Sequence, residues 1–178
     1  MAREIILTGA PGAGKTLILR QLEVDGIDIV EEAATDVIAL QQGLGIAEPH
    51  TLPDFTEHIA RLQVQRMAKP ATGAVRVSDR SVICTLALAE YLEHPVPALL
   101  EQAIAESLTA RQFERRVLFV ELLGFITHTE ARRISLEESQ RFEAFHVAAY
   151  ERFGFELVRI PALPLGERME LVRGLLSA

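Results

Sequence analysis

Residues 9 to 16 read GAPGAGKT, with Gly9, Gly14, Lys15 and Thr16 at the spacing G-x-x-x-x-G-K-[ST]. Glycines let the backbone curl until successive N–H groups point inward at one centre, which is what phosphate oxygens require. In this pattern the lysine reaches the β- and γ-phosphates of a nucleoside triphosphate, and the Thr hydroxyl takes Mg²⁺. Lys15 and Lys69 are the only lysines among 18 basic residues, so a lysine in this turn is not background composition. The alternative, a glycine-rich turn that happens to contain a lysine, fits poorly with the apolar EIILT before it and the helix-prone LILRQL after it. Gly9, Ala10, Pro11, Gly12, Ala13, Gly14, Lys15, Thr16 and Leu17 are therefore assigned to a triphosphate, with ATP and Mg²⁺ as the expected cofactors.

Three further stretches carry groups suited to the same chemistry. SDRS, residues 78–81, should emerge at the phosphate end of a strand. Asp79 there could orient Mg²⁺, and Arg80 could neutralise charge on a moving phosphoryl group. VEEAA supplies Glu31 and Glu32, of which Glu32 is the preferred acceptor of a substrate proton. TEARRIS places Arg132 and Arg133 on a loop ahead of a capped helix, as a phosphate-closing lid would. Each has a plainer reading, as a helix cap, a solvated acid or a charged surface loop, which the residues alone leave open. Glu121 is a minor metal candidate behind Asp79. Histidines 50, 58, 94, 128 and 146 show no metal-ligand spacing and read as loop or surface residues. Cys84 reads as a small core residue.

The elements that must position these groups alternate between strand and helix. Strands are expected at residues 4 to 8 and in IDIVEE, AVRVSDR, RRVLFVELL and FELVRI. Between them, AATDVIALQQ is a helix ended by Gly43, and Asp54 with Glu57 opens another that Pro70 and Gly73 end. Helices over 81–92 and 97–110 follow, the second opening at Pro97. Ser135 and Glu138 form a capping box for a helix carrying Phe142, Phe145, Ala149 and Phe153, closed by Gly154. LGERMELVRGLL is a terminal helix. This alternation implies a parallel sheet covered on both faces, with ligands at the carboxyl ends of its strands.

Composition narrows the function classes. At 178 residues the chain suits one α/β domain, 1–178, with a short lid around 125–135. A net charge of −7 argues against a broad nucleic-acid-binding surface. One cysteine excludes a disulfide framework. No run has the length of a membrane span and the N-terminus lacks a secretory pattern, so a cytoplasmic setting is expected.

With these residues placed, the sequence resembles the small P-loop ATPase/kinase-like family that shares a domain with the ribosylnicotinamide-kinase portion of the bacterial regulator NadR. The likeness rests on GAPGAGKT, EEAA, SDRS and LEESQRFEAFHVAAYERFGFELVRIP. It implies a three-layer α/β/α P-loop NTPase with a five-stranded parallel sheet ordered 2-3-1-4-5. By that likeness Glu32 matches the acid of an E-A-A-R element, Asp79 and Arg80 its D-R pair, and Arg133 the lid arginine. Thr35 stands where Arg is frequent, Ser81 where Gly is, and Cys84 where a second Asp often follows. DRS also looks like the E-R-S element of deoxynucleoside kinases. The expected function is ATP-dependent phosphoryl transfer to an unidentified small hydroxyl-bearing molecule. The alternative is a nucleotide-dependent switch that hydrolyses ATP and acts on a protein partner.

Overall fold

The computed structural model describes residues 2–123 and 135–177. The expected lid, with Arg132 and Arg133, lies outside the described residues.

Alternate side chains of a strand point to opposite faces, and both faces here are apolar. In β1 (Arg3–Thr8), Ile5 and Leu7 pack on one side with α1 (Lys15–Val24) and α7 (Leu165–Ser177). Ile6 packs on the other with α4 (Val82–Tyr91) and α6 (Leu136–Arg152). The remaining strands are β2 (Asp28–Val30), β3 (Val75–Asp79), β4 (Arg116–Val120) and β5 (Glu156–Ile160), in the order β2-β3-β1-β4-β5 with every pairing parallel. This is the three-layer P-loop kinase fold. The register sets Leu7 opposite Asp79 and Thr8 opposite Phe119, so the segment that leaves β1 is flanked by the ends of β3 and β4.

Outside the sheet, α2 (Ala33–Gly43) and α3 (Phe55–Met67) form their own cluster through Val37, Phe55 and Ile59. Helix α5 (Ala98–Thr109) packs on α3 and α4 through Leu100 and Ile104. The Ser135–Glu138 capping box is present, and Gly154 turns left-handed just beyond α6.

Three helix ends differ from expectation. Helix α2 runs through Gly43, because the Leu44 N–H still finds the Leu40 carbonyl, and the left-handed turn falls at Gly45 (φ 93°). Asp54 occupies the cap position of α3 at φ −95° and ψ 3°, not in the extended conformation that aims a side chain at the first turn. Its carboxylate lies 3.3 Å from His58 Nε2 instead. Pro97 caps α5 rather than opening it.

Candidate active site

The loop between β1 and α1 has backbone that only glycine tolerates. Gly9 is at φ 140°, and a Cβ there would sit 2.3 Å from the Val120 carbonyl oxygen. Gly14, at φ 83°, would place a Cβ 2.9 Å from Nη1 of Arg168. Gly14 also caps α1 without a side-chain hydrogen bond, and the first turn holds no acidic residue. The opening N–H groups and the positive end of the helix dipole are suited to an anion.

Lys15 is buried and donates to the carbonyls of Gly9 (3.0 Å) and Ala10 (3.1 Å). Burial and then the neighbouring Arg80 charge lower its pKa to about 8, against the pull of Asp79 and Glu32. Thr16 and Leu17 are exposed in the first turn of α1, beside the loop.

Across from the loop stand the carboxyl ends of β2 and β3. Arg80 Nε donates to Glu32 Oε1 at 2.6 Å, and Thr35 Oγ1 donates to Glu32 Oε2 at 2.6 Å. Arg66 of α3 holds the Glu32 segment from behind, donating to the carbonyls of Glu31 and Glu32 and pairing with Asp36. Burial alone would raise the Glu32 carboxyl. The charges of Arg80 and then Lys15, with hydrogen bonds from Thr35 and Arg80, overcome it and hold the group well below the usual carboxylate range. Burial would likewise lower Arg80, but Glu32 reverses the sign and keeps the guanidinium charged. Arg80 adopts φ 70°, sparsely populated for a residue with a Cβ, and its N–H bonds the Leu7 carbonyl. Asp79, the last residue of β3, interacts electrostatically with both Lys15 and Arg80.

The structure therefore brings Lys15, Glu32, Asp79 and Arg80 into one electrostatic cluster. Glu31 turns away to an exposed ion pair with Arg20. Glu121, just past β4, pairs with Arg159 at 3.3 Å. Cys84 is buried against Thr8 Oγ1 (3.1 Å) and Tyr150 Oη (3.0 Å), in the core as expected.

Two side chains have roles the sequence reading did not assign. Arg168, 2% exposed, donates to the carbonyls of Ala13, Glu121 and Pro161 at 2.9, 2.9 and 3.0 Å, tying the phosphate loop to the ends of β4 and β5. His146 is fully buried against Arg80, which corrects its reading as a loop or surface residue. Both lie on apolar helix stripes, Arg168 four residues before Val172 and His146 between Phe142 and Tyr150. A polar residue on such a stripe was the available signal.

A family described as an AAA domain matches residues 4–168. Among curated protein sequences none matches the chain. Among solved structures, deoxyadenosine kinase from M. mycoides with bound dATP superposes with a TM-score of 0.67 at 14% identity, covering 99% of this chain and 100% of that one. NadR protein in complex with NR gives a TM-score of 0.68 at 18% identity, covering 99% of this chain and 51% of that one. These likenesses establish the fold.

Proposed function

The chain belongs to this AAA domain family over residues 4–168, and from that premise we propose that it binds Mg·ATP and transfers the γ-phosphoryl group to a hydroxyl of a small molecule. Nucleosides are the first class to try, because structures of this fold include a deoxyadenosine kinase. The observation that carries the reading is the Glu32–Arg80 pair, 2.6 Å across, set beside the lysine of the phosphate loop.

In this reading the loop N–H groups and Lys15 hold the triphosphate, with Lys15 exchanging its two carbonyl partners for phosphate oxygens. Arg80 faces the charge that grows as the γ-phosphoryl group moves. The acceptor oxygen forms a bond to Pγ while the bond from Pγ to the bridging oxygen breaks, and ADP leaves. The proton of the acceptor hydroxyl passes to Glu32. Phosphoryl transfer asks mainly for positioning and charge stabilisation, so a carboxylate of low pKa suffices to orient the hydroxyl and take its proton late. Thr35 already shows a hydroxyl hydrogen-bonded to Glu32 Oε2.

Mg²⁺ takes oxygen ligands, and a hydroxyl and a carboxylate of that kind are present in Thr16 and Asp79. Bound there, it would neutralise charge on the β- and γ-phosphates. Arg132 and Arg133 are proposed to close over the phosphates from the 125–135 segment.

The test is ATP turnover by the pure protein with and without a panel of nucleosides. Turnover that rises with one acceptor supports transfer. Turnover indifferent to every acceptor favours a hydrolytic switch.

A further inference from the structure

His146 is a buried ionisable group in direct contact with Arg80 that the mechanism above does not use. It is 0% exposed, on the face of α6 that meets the end of β3. Its Nδ1 lies 3.0 Å from the Phe142 carbonyl, which can only accept, so the ring proton is on Nδ1. Its Nε2 lies 2.8 Å from Arg80 Nη1, a donor, so Nε2 must offer its lone pair. A proton on Nε2 would set two donors and two positive charges against each other. The charged groups facing the ring are Arg80 at the end of β3, Lys15 at the start of α1 and Glu32 ahead of α2; burial and then Arg80 keep it neutral.

Arg80 is thereby gripped at two points, Nε by the Glu32 carboxylate and Nη1 by the imidazole. Its backbone is fixed by the Leu7 carbonyl in a left-handed conformation. Two grips on one planar guanidinium fix the direction of the plane as well as its position. One grip would leave it free to swing about the Nε contact. Among the described residues Nη2 has no hydrogen-bond partner, so the two grips leave one donor of the guanidinium unused.

We propose that His146 is a positioning residue for phosphoryl transfer: as a neutral Nε2 acceptor it fixes the guanidinium plane of Arg80 toward the phosphate moving between ATP and the acceptor. The inference rests on the transfer reading given above. It also makes α6 a direct support of the site, since one helix carries both the imidazole and, at Phe142, the carbonyl that sets its tautomer.

The experiment compares His146→Phe, which keeps a ring but removes the acceptor, with His146→Gln, whose carbonyl oxygen can reach the Nε2 position. ATP affinity is measured by calorimetry, and turnover with the best nucleoside of the panel. His146→Phe should lose at least about tenfold in turnover with ATP affinity within about threefold, and His146→Gln should recover most of the rate. Added to Arg80→Ala, His146→Phe should cost less than about twofold more, because the two residues act as one unit. Nitrogen NMR supplies a readout that a mere packing role would not move: a protonated Nδ1 and a bare Nε2 from about pH 6 to about pH 8. Near-normal turnover in folded His146→Phe, equal losses in both variants, additive losses with Arg80→Ala, or a protonated Nε2 would each overturn the inference. A wild-type protein whose ATP turnover is absent, or the same with every acceptor, sinks the transfer reading itself, which is a separate result.

Discussion

Replacing Glu32 by Gln removes one charge and almost no shape. The Gln carbonyl can still accept from Arg80 Nε, and its amide can donate to a rotated Thr35 hydroxyl, so both 2.6 Å contacts have a substitute. What is lost is the counter-charge to Arg80, which is 9% exposed, and Lys15, which is 7% exposed. Breaking a buried pair by deleting one partner costs about 3–5 kcal/mol, and keeping an acceptor in place brings the expected loss down to about 2–3 kcal/mol. For a chain of this length that is a fall in Tm of roughly 4–12 °C. The loss depends on pH. Glu32 is held below its ordinary pKa, so it stabilises the fold above about pH 4.3 and that contribution fades as the pH falls through the folded value. Wild-type and variant melting temperatures should therefore converge in acid. Mg·ATP binding should persist, since the lost negative charge both relieves repulsion of the phosphates and lowers the Lys15 pKa, two effects of opposite sign. Acceptor-dependent turnover should fall by about 10²–10⁴-fold, the usual range for a positioned proton acceptor. Melting curves, calorimetry and a coupled ADP assay on one preparation read all three quantities. Turnover within a factor of about three of wild type would refute the role of Glu32 and leave only its structural pairing with Arg80.

Gly9→Ala should abolish triphosphate binding and cost more than about 2 kcal/mol in a denaturant melt, because its Cβ would lie 2.3 Å from the Val120 carbonyl oxygen at φ 140°. Only charged Lys15 pairs with phosphate, and its pKa in the empty site is about 8, so ATP affinity should be highest below that value. Between pH 7 and pH 9 calorimetry should show a loss of about tenfold, with proton uptake on binding at the alkaline end. Arg168→Met keeps the bulk but takes the donor from the Ala13 and Glu121 carbonyls, while the Pro161 carbonyl keeps the Leu163 N–H. A loss of about 3 kcal/mol and weaker ATP binding are expected, and a melt paired with calorimetry checks both.

The sheet was legible in the sequence because each strand is a short run, apolar in β1 and β4 and alternating in the others, bounded by a turn signal, and the phosphate loop because its glycines, lysine and threonine keep a fixed spacing. Glu32 and Arg80 could be named but not joined. They lie in different segments, and only the β2–β3 register brings them together. Arg168 and His146 escaped for another reason. Each is a polar residue on an apolar helix face, and periodicity reports the face without reporting what the exception bonds to. Helix α2 runs one residue further, through Gly43, and Asp54 caps α3 without its side chain, so backbone hydrogen bonding and local dihedrals override the propensity of one residue.

The most direct measurement follows the γ-phosphorus of labelled ATP incubated with Mg²⁺, the pure protein and the nucleoside panel. The account predicts label in a nucleoside monophosphate, in amounts that match the ADP formed, and none after Lys15→Ala. Label found only as inorganic phosphate, at a rate no acceptor changes, would contradict it and make the chain a hydrolytic switch.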